Sequence, residues 1–308
     1  MKAPEKMANL VAETRCTLGE GPVWDPIRQQ LFWVDIEEGA VMMLNPSSGS
    51  LTTTELGEMI GALALAQSGL LLLALESGMA LYDLSSKKIL RLPILENTDS
   101  QMRYNDGKVD PQGNFWIGSM HKGFEKESGT LYRVRPNGQV DPMVSNTTIS
   151  NGMAWNDTGS TFYFIDSPTY RVFSFHRDQT GQMLTERKEC IHIPETMGIP
   201  DGMCMDAEGM LWIAHWGGGQ VSRWNPRNGQ LLEKIHVPAP QVTSCCFGGK
   251  DLNVLYMTTA RGGLTKEQLR SSPLSGGLFS YIPGVSGKKA NYFDDSQLNL
   301  PDPWNTTD

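Results

Sequence analysis

Apolar and polar positions follow the same pattern six times along the chain. Each copy contains one dense apolar or aromatic segment, and these segments begin at Leu31, Leu71, Phe115, Phe162, Leu211 and Leu255. Their starts are therefore 40, 44, 47, 49 and 44 residues apart. A period near 45 residues is typical of a four-stranded propeller blade.

Two further signals keep a fixed order within each copy. A turn-like start leads into a half-apolar run, as at residues 152–155, before the dense segment, and an alternating segment such as 131–134 follows it. Alternation punctuated by Gly, Pro and Asn indicates strands rather than helices. A β-sandwich would not produce this three-part order at a constant period. We therefore predict an all-β chain forming a six-bladed β-propeller with four-stranded blades.

We predict different roles for the two ends of the chain. Residues 9–13 precede the first complete copy, so we predict that they form the outer strand of the last blade and close the ring. Such closure protects an edge that would otherwise be open to pairing. We predict one propeller domain over residues 1–308, in which about 296–308 form a tail, because a repeat architecture reaches this size as one unit.

Charge and composition narrow the possible partners. The net charge is −8, and no cluster of Lys and Arg is evident, so nucleic acid and anionic membranes are disfavoured. No segment approaches the roughly 18 apolar residues of a membrane-spanning helix, and no apolar signal segment begins the chain. The five cysteines have no pairing pattern. We expect a cytoplasmic monomer in a reducing environment.

Oxygen-bearing side chains stand at one shared position of the repeat. In four copies the residue that starts the innermost strand is a carboxylate or an amide: Glu20, Asn105, Asn151 and Asp201. The other two copies begin near Gly61 and Ser244 and have no such group. Because inner strands surround the propeller axis, we expect these oxygens to converge at one mouth of the central channel. Carboxylate and amide oxygens suit Ca²⁺, Mg²⁺ or Mn²⁺, so the pattern predicts a metal and substrate site.

Several neighbouring residues have two interpretations. Asn-Gly and Asp-Gly pairs are also common in β-turns, although the shared register and Glu20, which does not favour turns, support the site. Arg103 either lies on the rim of the same mouth and holds substrate oxygens, which we predict, or is an ordinary surface arginine. His215 either reaches the channel or is a hydrogen-bonded structural residue. Asp106 directly follows Asn105 and is expected to support the ligands from behind. Asp35 and Asp166 end dense strands and either join the site or cap turns.

Five stretches together resemble the senescence-marker protein, gluconolactonase and luciferin-regenerating enzyme family: GEGP at 19–22, RYNDGK at 103–108, SNGMAW at 150–155, IPDGMC at 199–204 and TSCCFGG at 243–249. The resemblance extends from about residue 13 to 293. It implies a six-bladed propeller that binds one divalent metal ion (Ca²⁺, Zn²⁺, Mn²⁺, Mg²⁺ or Fe²⁺). It also implies hydrolysis of a small-molecule sugar lactone to the aldonic acid.

The resemblance also implies individual roles. Glu20, Asn151 and Asp201 are similar to the metal ligands, and Asp201 is similar to the general base. Arg103 and Asn105 resemble the pair that orients the substrate. Animal members have a substrate-contacting glutamate after the third dense strand, where this chain has Lys122. The sugar preference therefore does not follow from the family.

We expect a metal-dependent sugar lactonase, with three alternatives left open. The same ligands would serve a non-catalytic calcium-binding regulatory protein. A metal in a propeller mouth would also support an aryl-ester or phosphotriester hydrolase. A protein-interaction platform without an ion would make the four matched polar residues coincidental. Serine-hydrolase, nucleotide-binding and zincin chemistries are disfavoured because the sequence has no GxSxG, Walker-type, GxGxxG or HExxH motif.

Overall fold

Six four-stranded antiparallel sheets make up the described part of the chain. The computed structural model describes residues 6–178, 183–298 and 300. In that part of the chain, helix is limited to α1 (Lys266–Ser271) and two 3₁₀ turns, Ser167–Thr169 and Glu195–Met197. The all-β class and the six-bladed β-propeller are thus confirmed. The predicted tail at about 296–308 lies mostly outside the described residues.

Five blades follow the chain from the inner to the outer strand, after an initial strand β1 (Asn9–Ala12). Blade 1 contains β2 (Gly19–Asp25), β3 (Gln30–Asp35), β4 (Ala40–Asn45) and β5 (Ser50–Glu55). Blade 2 contains β6 (Ile60–Leu65), β7 (Leu71–Leu75), β8 (Gly78–Tyr82) and β9 (Ile89–Arg91). Blade 3 contains β10 (Met102–Val109), β11 (Phe115–His121), β12 (Gly129–Val134) and β13 (Val140–Thr147).

The remaining blades complete the ring. Blade 4 contains β14 (Ser150–Trp155), β15 (Thr161–Asp166), β16 (Arg171–Arg177) and β17 (Leu184–His192). Blade 5 contains β18 (Ile199–Met205), β19 (Leu211–Trp216), β20 (Gln220–Asn225) and β21 (Gln230–His236). Blade 6 contains β22 (Gln241–Gly248), β23 (Val254–Ala260), β24 (Leu278–Tyr281) and finally β1.

Strand β1 closes the propeller as predicted. It pairs antiparallel with β24, with Asn9 opposite Ser280 and Leu10 opposite Phe279. The beginning of the chain therefore supplies the outer strand of the last blade, and β24 is not left as an open edge.

The core lies between adjacent blades. Each sheet packs its two faces against its neighbours, so a second strand such as β7 is buried along its whole length. One interblade cluster joins Phe32 and Val34 of blade 1 to Leu71 and Leu73 of blade 2. Burial on both faces explains why the dense segments are continuous apolar runs without alternation. The outer strand β5 has mainly exposed residues and is rich in threonine.

Two of the acidic candidates cap backbone amides. The Asp35 carboxylate accepts hydrogen bonds from the backbone N–H groups of Thr17 and Leu18, at 2.8 and 2.9 Å. Asp166 likewise accepts from Ile149 at 2.9 Å and from Thr148. These contacts favour the capping interpretation, and they hold the segments that lead into β2 and β14.

His215 is fully buried inside blade 5. Its Nε2 lies 2.6 Å from the Ser222 hydroxyl on the adjacent strand β20. Burial lowers the pKa of the imidazole to about 4. This arrangement favours the structural interpretation of His215.

We expect His215 to make the protein less stable as the pH falls. Between its ordinary pKa of 6.5 and about 4, the unfolded chain binds a proton that the folded chain does not. Stability is therefore full above pH 6.5 and declines below it, by about 3 kcal/mol at pH 4. We expect urea unfolding at several pH values to show that the free energy of unfolding of His215→Gln depends less on pH than that of wild type. The exposed His192→Gln should keep the wild-type pH dependence. An unchanged slope in His215→Gln would contradict the assignment.

A segment that we call the C-terminal strap, residues 285–295, crosses the propeller at the ends of the inner strands. Its backbone bonds reach blade 6 at Leu252, blade 5 at Ala207 and blade 2 at Leu65. The Asn291 side chain donates to the Val109 carbonyl of blade 3 at 3.0 Å. Leu65 and Val109 are the last residues of β6 and β10. The strap therefore covers the channel mouth opposite to the one at which the inner strands begin.

No helix in the described ranges is long and apolar enough to cross a membrane.

Candidate active site

A register shift occurs near the start of all six inner strands. The pairing slips between Glu20 and Val23, Ile60 and Ala62, Tyr104 and Gly107, Asn151 and Met153, Pro200 and Met203, and Val242 and Ser244. A bulge of this kind bends a strand and redirects a side chain, and it is common beside active sites. The four oxygen-bearing residues predicted from the sequence lie at these irregularities, at equivalent positions around the axis.

Glycine follows three of these residues, and after Asn151 and Asp201 it is required because neighbouring inner strands approach closely. A Cβ atom on Gly152 would lie 2.7 Å from the carbonyl oxygen of Asp201, and one on Gly202 would lie 2.2 Å from the Ser244 hydroxyl. Asn151-Gly152 and Asp201-Gly202 are therefore parts of strands β14 and β18 rather than β-turns. The turn interpretation is wrong for these pairs.

Three buried carboxylates act on one another at this mouth. Burial raises the pKa of Glu20, and the charges of Asp201 and Asp106 raise it further. Burial and the charge of Asp106 likewise raise the pKa of Asp201. The positive charge of the Arg103 guanidinium opposes the rise in both pKa values. These interactions require Glu20, Asp106 and Asp201 to lie close enough to repel one another.

Several oxygens of this group have no hydrogen-bond partner although they are buried. They are Asp106 Oδ2, Asn151 Oδ1 and Asp201 Oδ1. Glu20 uses Oε2 to accept from the backbone N–H of Gly21 at 2.9 Å. Buried acceptors without partners are rare because losing water destabilises them. Unpartnered oxygens beside mutually repelling carboxylates fit a bound cation.

Within residues 6–178, 183–298 and 300, no group of three or more His, Cys, Asp or Glu side chains could hold a metal ion. The ligand set predicted from the sequence contains two carboxylates, Glu20 and Asp201, and takes its third oxygen from the amide of Asn151. The structure is compatible with that mixed set and offers no cluster of three acidic ligands.

Ser167 orients the amide of Asn151, a contact that the sequence did not indicate. The Asn151 Nδ2 atom donates to the Ser167 hydroxyl at 3.1 Å. This bond leaves Asn151 Oδ1 as the unpartnered atom. Ser167 is buried in the 3₁₀ turn after β15, and no periodic signal marks it.

We expect Ser167→Ala to weaken metal binding without unfolding the protein. Losing the hydroxyl leaves Asn151 Nδ2 without its acceptor, so the amide no longer has a fixed orientation. Loss of such a supporting contact typically costs about 10- to 100-fold in metal affinity. Calorimetric titration with Ca²⁺ measures this, and the exposed Ser271→Ala is the control. Equal affinity in wild type and Ser167→Ala would contradict the role.

Arg103 and Asn105 form a connected pair. Arg103 Nη1 donates to Asn105 Oδ1 at 2.8 Å and to the Tyr104 carbonyl at 3.0 Å. Asn105 Nδ2 donates to the Ser150 carbonyl of blade 4 at 2.9 Å. Asn105 is therefore held at both ends of its amide, with one N–H still available.

Lys122 occupies the same side of the propeller. Its Nζ forms an ion pair with the Glu76 carboxylate, which joins blade 3 to blade 2. Burial lowers the pKa of Arg103, and the charges of Glu37 and Glu76 oppose that effect. The rim thus carries linked charges of both signs around Arg103.

Lys108 crosses the channel beneath this mouth. Its Nζ reaches from blade 3 to the Met203 carbonyl of blade 5, at 2.5 Å. Burial raises the pKa of Asp106, and the charge of Lys108 opposes that rise. No role for Lys108 was predicted from the sequence. Its position two residues after Asp106 on one strand was the available signal, because such residues share a face.

A six-bladed propeller with a buried oxygen cluster at one channel mouth defines the structural class. The SMP-30/Gluconolactonase/LRE-like region matches residues 18–261. Regucalcin of Oryctolagus cuniculus is 35% identical over 284 residues, covering 90% of this chain and 94% of the relative. A putative sugar lactone lactonase of Bacillus subtilis is 32% identical over 273 residues, covering 89% and 94%.

Among solved structures, a calcium-binding protein, regucalcin, from Agrobacterium tumefaciens superposes with a TM-score of 0.88. It is 30% identical, and the match covers 94% of this chain and 98% of that one. The chain therefore belongs to the SMP-30/gluconolactonase/LRE-like family.

Proposed function

We propose that the protein is a metal-dependent sugar lactonase that hydrolyses an aldonolactone to the aldonic acid. The observation that carries the proposal is the pair of buried, unpartnered oxygens Asn151 Oδ1 and Asp201 Oδ1 at the channel mouth. Family membership and the relative named as a putative sugar lactone lactonase support it. Five unpaired cysteines support a reducing, cytoplasmic setting.

Glu20, Asn151 and Asp201 are the proposed ligands of one divalent cation. Two carboxylates and an amide are hard oxygen donors, which suits Ca²⁺, Mg²⁺ or Mn²⁺. The mutual repulsion that raises the pKa of Glu20 and Asp201 is relieved by a positive charge between them. When bound there, the cation supplies Lewis-acid polarisation of the lactone carbonyl.

Asp201 is the proposed general base. Burial and the charge of Asp106 raise the pKa of its carboxyl in the absence of a cation, and a bound cation lowers that pKa again, so the group is an ionised carboxylate when the water attacks. The carboxylate oxygen of Asp201 that does not hold the cation takes a proton from the water that attacks the carbonyl. The same carboxyl then donates that proton to the ring oxygen as the ring opens.

Arg103 and Asn105 are the proposed orienting residues. Arg103 is fixed by its bonds to the Asn105 side chain and the Tyr104 carbonyl, so its remaining N–H groups have a set direction. Fixed donors hold the hydroxyl groups of a sugar and limit the attack geometry, which lowers the barrier through orientation.

A panel of sugar lactones tests the proposal. The protein is stripped of metal and refilled separately with Ca²⁺, Mg²⁺, Mn²⁺, Zn²⁺ or Fe²⁺, and acid release is followed by the fall in pH. We expect hydrolysis of at least one aldonolactone that disappears on chelation. Phenyl acetate and a phosphotriester are included, and faster turnover of either one would replace the sugar assignment.

A calcium-binding role without catalysis is the second candidate. It is favoured by the relatives named regucalcin and by the solved structure described as a calcium-binding protein. Calorimetric binding of Ca²⁺ with no acid released from any lactone would establish this role and overturn the lactonase proposal.

A further inference from the structure

Two cysteine sulfur atoms are in contact between blades 5 and 6. Cys204 Sγ on β18 lies 3.7 Å from Cys245 Sγ on β22, although the residues are 41 positions apart in sequence. Cys16 and Cys190 belong to other interblade clusters. Cys246 packs against the cluster that contains Cys16, because adjacent residues of a strand point to opposite faces. The contact is therefore specific to one pair of thiols.

The two inner strands are close enough for a covalent link. A Cβ atom on Gly202 would lie 2.2 Å from Ser244 Oγ and 2.9 Å from Ser244 Cα, so the backbones nearly touch just before the two cysteines. A disulfide joins residues whose Cα atoms are about 4.4–6.8 Å apart. Strands that approach this closely, with their sulfur atoms already in contact, need little more than side-chain rotation to form one.

The two thiols differ in their access to small molecules. Cys204 is half-buried and lines a cavity of about 250 Å³ in the channel. Cys245 is only 1% exposed, and its thiol donates to the Trp212 carbonyl at 3.5 Å. A small oxidant in the cavity would therefore meet Cys204 first, and Cys245 would react second.

The surroundings of Cys204 control how readily it reacts. Burial and the neighbouring Cys245 thiol raise the pKa of Cys204, and the positive charge of Lys108 opposes that rise. The thiolate is the form that attacks an oxidant, so a raised pKa makes the reaction slow. Slow reaction keeps the pair reduced in a reducing environment and lets it respond to sustained oxidant.

We propose that Cys204 and Cys245 are a redox-active pair that hydrogen peroxide converts into a disulfide between blades 5 and 6. The Cys204 sulfur attacks one peroxide oxygen, the O–O bond breaks, and the products are the Cys204 sulfenic acid and water. The Cys245 sulfur then attacks the Cys204 sulfur, the S–O bond breaks, and the Cys245 proton leaves in a second water. Two thiols are oxidised while one peroxide is reduced to two waters.

The disulfide would join β18 to β22 beside the channel. A cross-link restricts the unfolded chain, so the oxidised protein should be more stable than the reduced protein. The assignment does not depend on the lactonase proposal, because it uses none of the residues assigned to the metal or the lactone.

The test uses the full-length protein, treated with excess hydrogen peroxide and then denatured for thiol counting. We expect free thiols to fall from five to three per chain, because one disulfide consumes two. Peptide mapping should find Cys204 joined to Cys245, and dithiothreitol should restore all five thiols. The oxidised protein should melt at a higher temperature than the reduced protein. Five remaining thiols, a link between other cysteines, or an unraised melting temperature would each overturn the proposal.

Variants test the role of each thiol. Neither Cys204→Ser nor Cys245→Ser should form the disulfide, and Cys245→Ser should accumulate sulfenic acid at Cys204, detected as a dimedone adduct. Cys190→Ser changes a cysteine in another cluster and should form the link like wild type. Asp201→Asn should also form it, which separates this pair from the lactonase proposal. A link that persisted in Cys245→Ser would assign the bond to Cys246 and refute the pair.

Discussion

Asp201→Asn should reduce lactone hydrolysis by about 10³-fold or more while the propeller remains folded. A positioned general base alone typically contributes 10²- to 10⁴-fold. Asparagine has nearly the same shape and keeps an oxygen for the cation, but its amide cannot accept the proton of the attacking water. The position is surrounded by other carboxyl groups, so removing one negative charge should not destabilise the fold. The measurement is kcat on the best lactone at saturating metal.

Two controls make this result specific to proton transfer. Metal content is measured in the assayed sample, so that loss of the cation is not mistaken for loss of the base. Asp251→Asn, an exposed aspartate on the loop before β23, should keep wild-type turnover. If Asp201→Asn retained its turnover with metal bound, Asp201 would not be the base, although it could still be a ligand.

The propeller could be predicted from the sequence because each blade repeats the same burial. Strand β7 is buried along its length, and the corresponding segments of the other blades are similarly apolar, so one period recurs six times. Ring closure by β1 followed from the one segment left over at the start of the chain. Both inferences use information that is local in sequence.

The site was predictable only in part, for a related reason. Glu20, Asn151 and Asp201 could be placed together because equivalent positions in a propeller share one ring. Ser167 could not be found, because its bond to Asn151 joins residues 16 positions apart without any repeat. Lys108 was missed because its partner lies across the channel in another blade. The C-terminal strap crosses several blades and likewise has no periodic pattern.

Charge balance explains why a cation suits this channel mouth. Glu20, Asp106 and Asp201 place three acidic groups in a buried region. Arg103 opposes them from the rim and Lys108 from the channel. Two fixed cations leave an excess of negative charge, which is costly in a region of low dielectric. A divalent ion reverses that excess and provides partners for the unsatisfied oxygens.

Glu20→Gln should therefore make the metal-free protein more stable and reduce the stability that it gains on binding metal. Removing one of the mutually repelling carboxylates should raise the melting temperature of the metal-free form, because the pKa of Glu20 is raised by burial and by its acidic neighbours. In wild type, Ca²⁺ at 100 times its Kd should add about 2.7 kcal/mol of stability by mass action. In Glu20→Gln that increment should largely disappear, since one anionic ligand is lost.

Thermal unfolding after chelation, with and without added Ca²⁺, measures both effects in one experiment. The exposed Glu267→Gln on α1 should keep the wild-type melting temperature and the full response to metal. A Glu20→Gln variant that still gains the wild-type increment would show that Glu20 is not a ligand. A lower melting temperature in its metal-free form would show instead that the carboxylate stabilises the mouth through contacts of its own. A melting temperature above that of wild type without metal and below that of wild type with metal is expected only for a ligand held among repelling carboxylates.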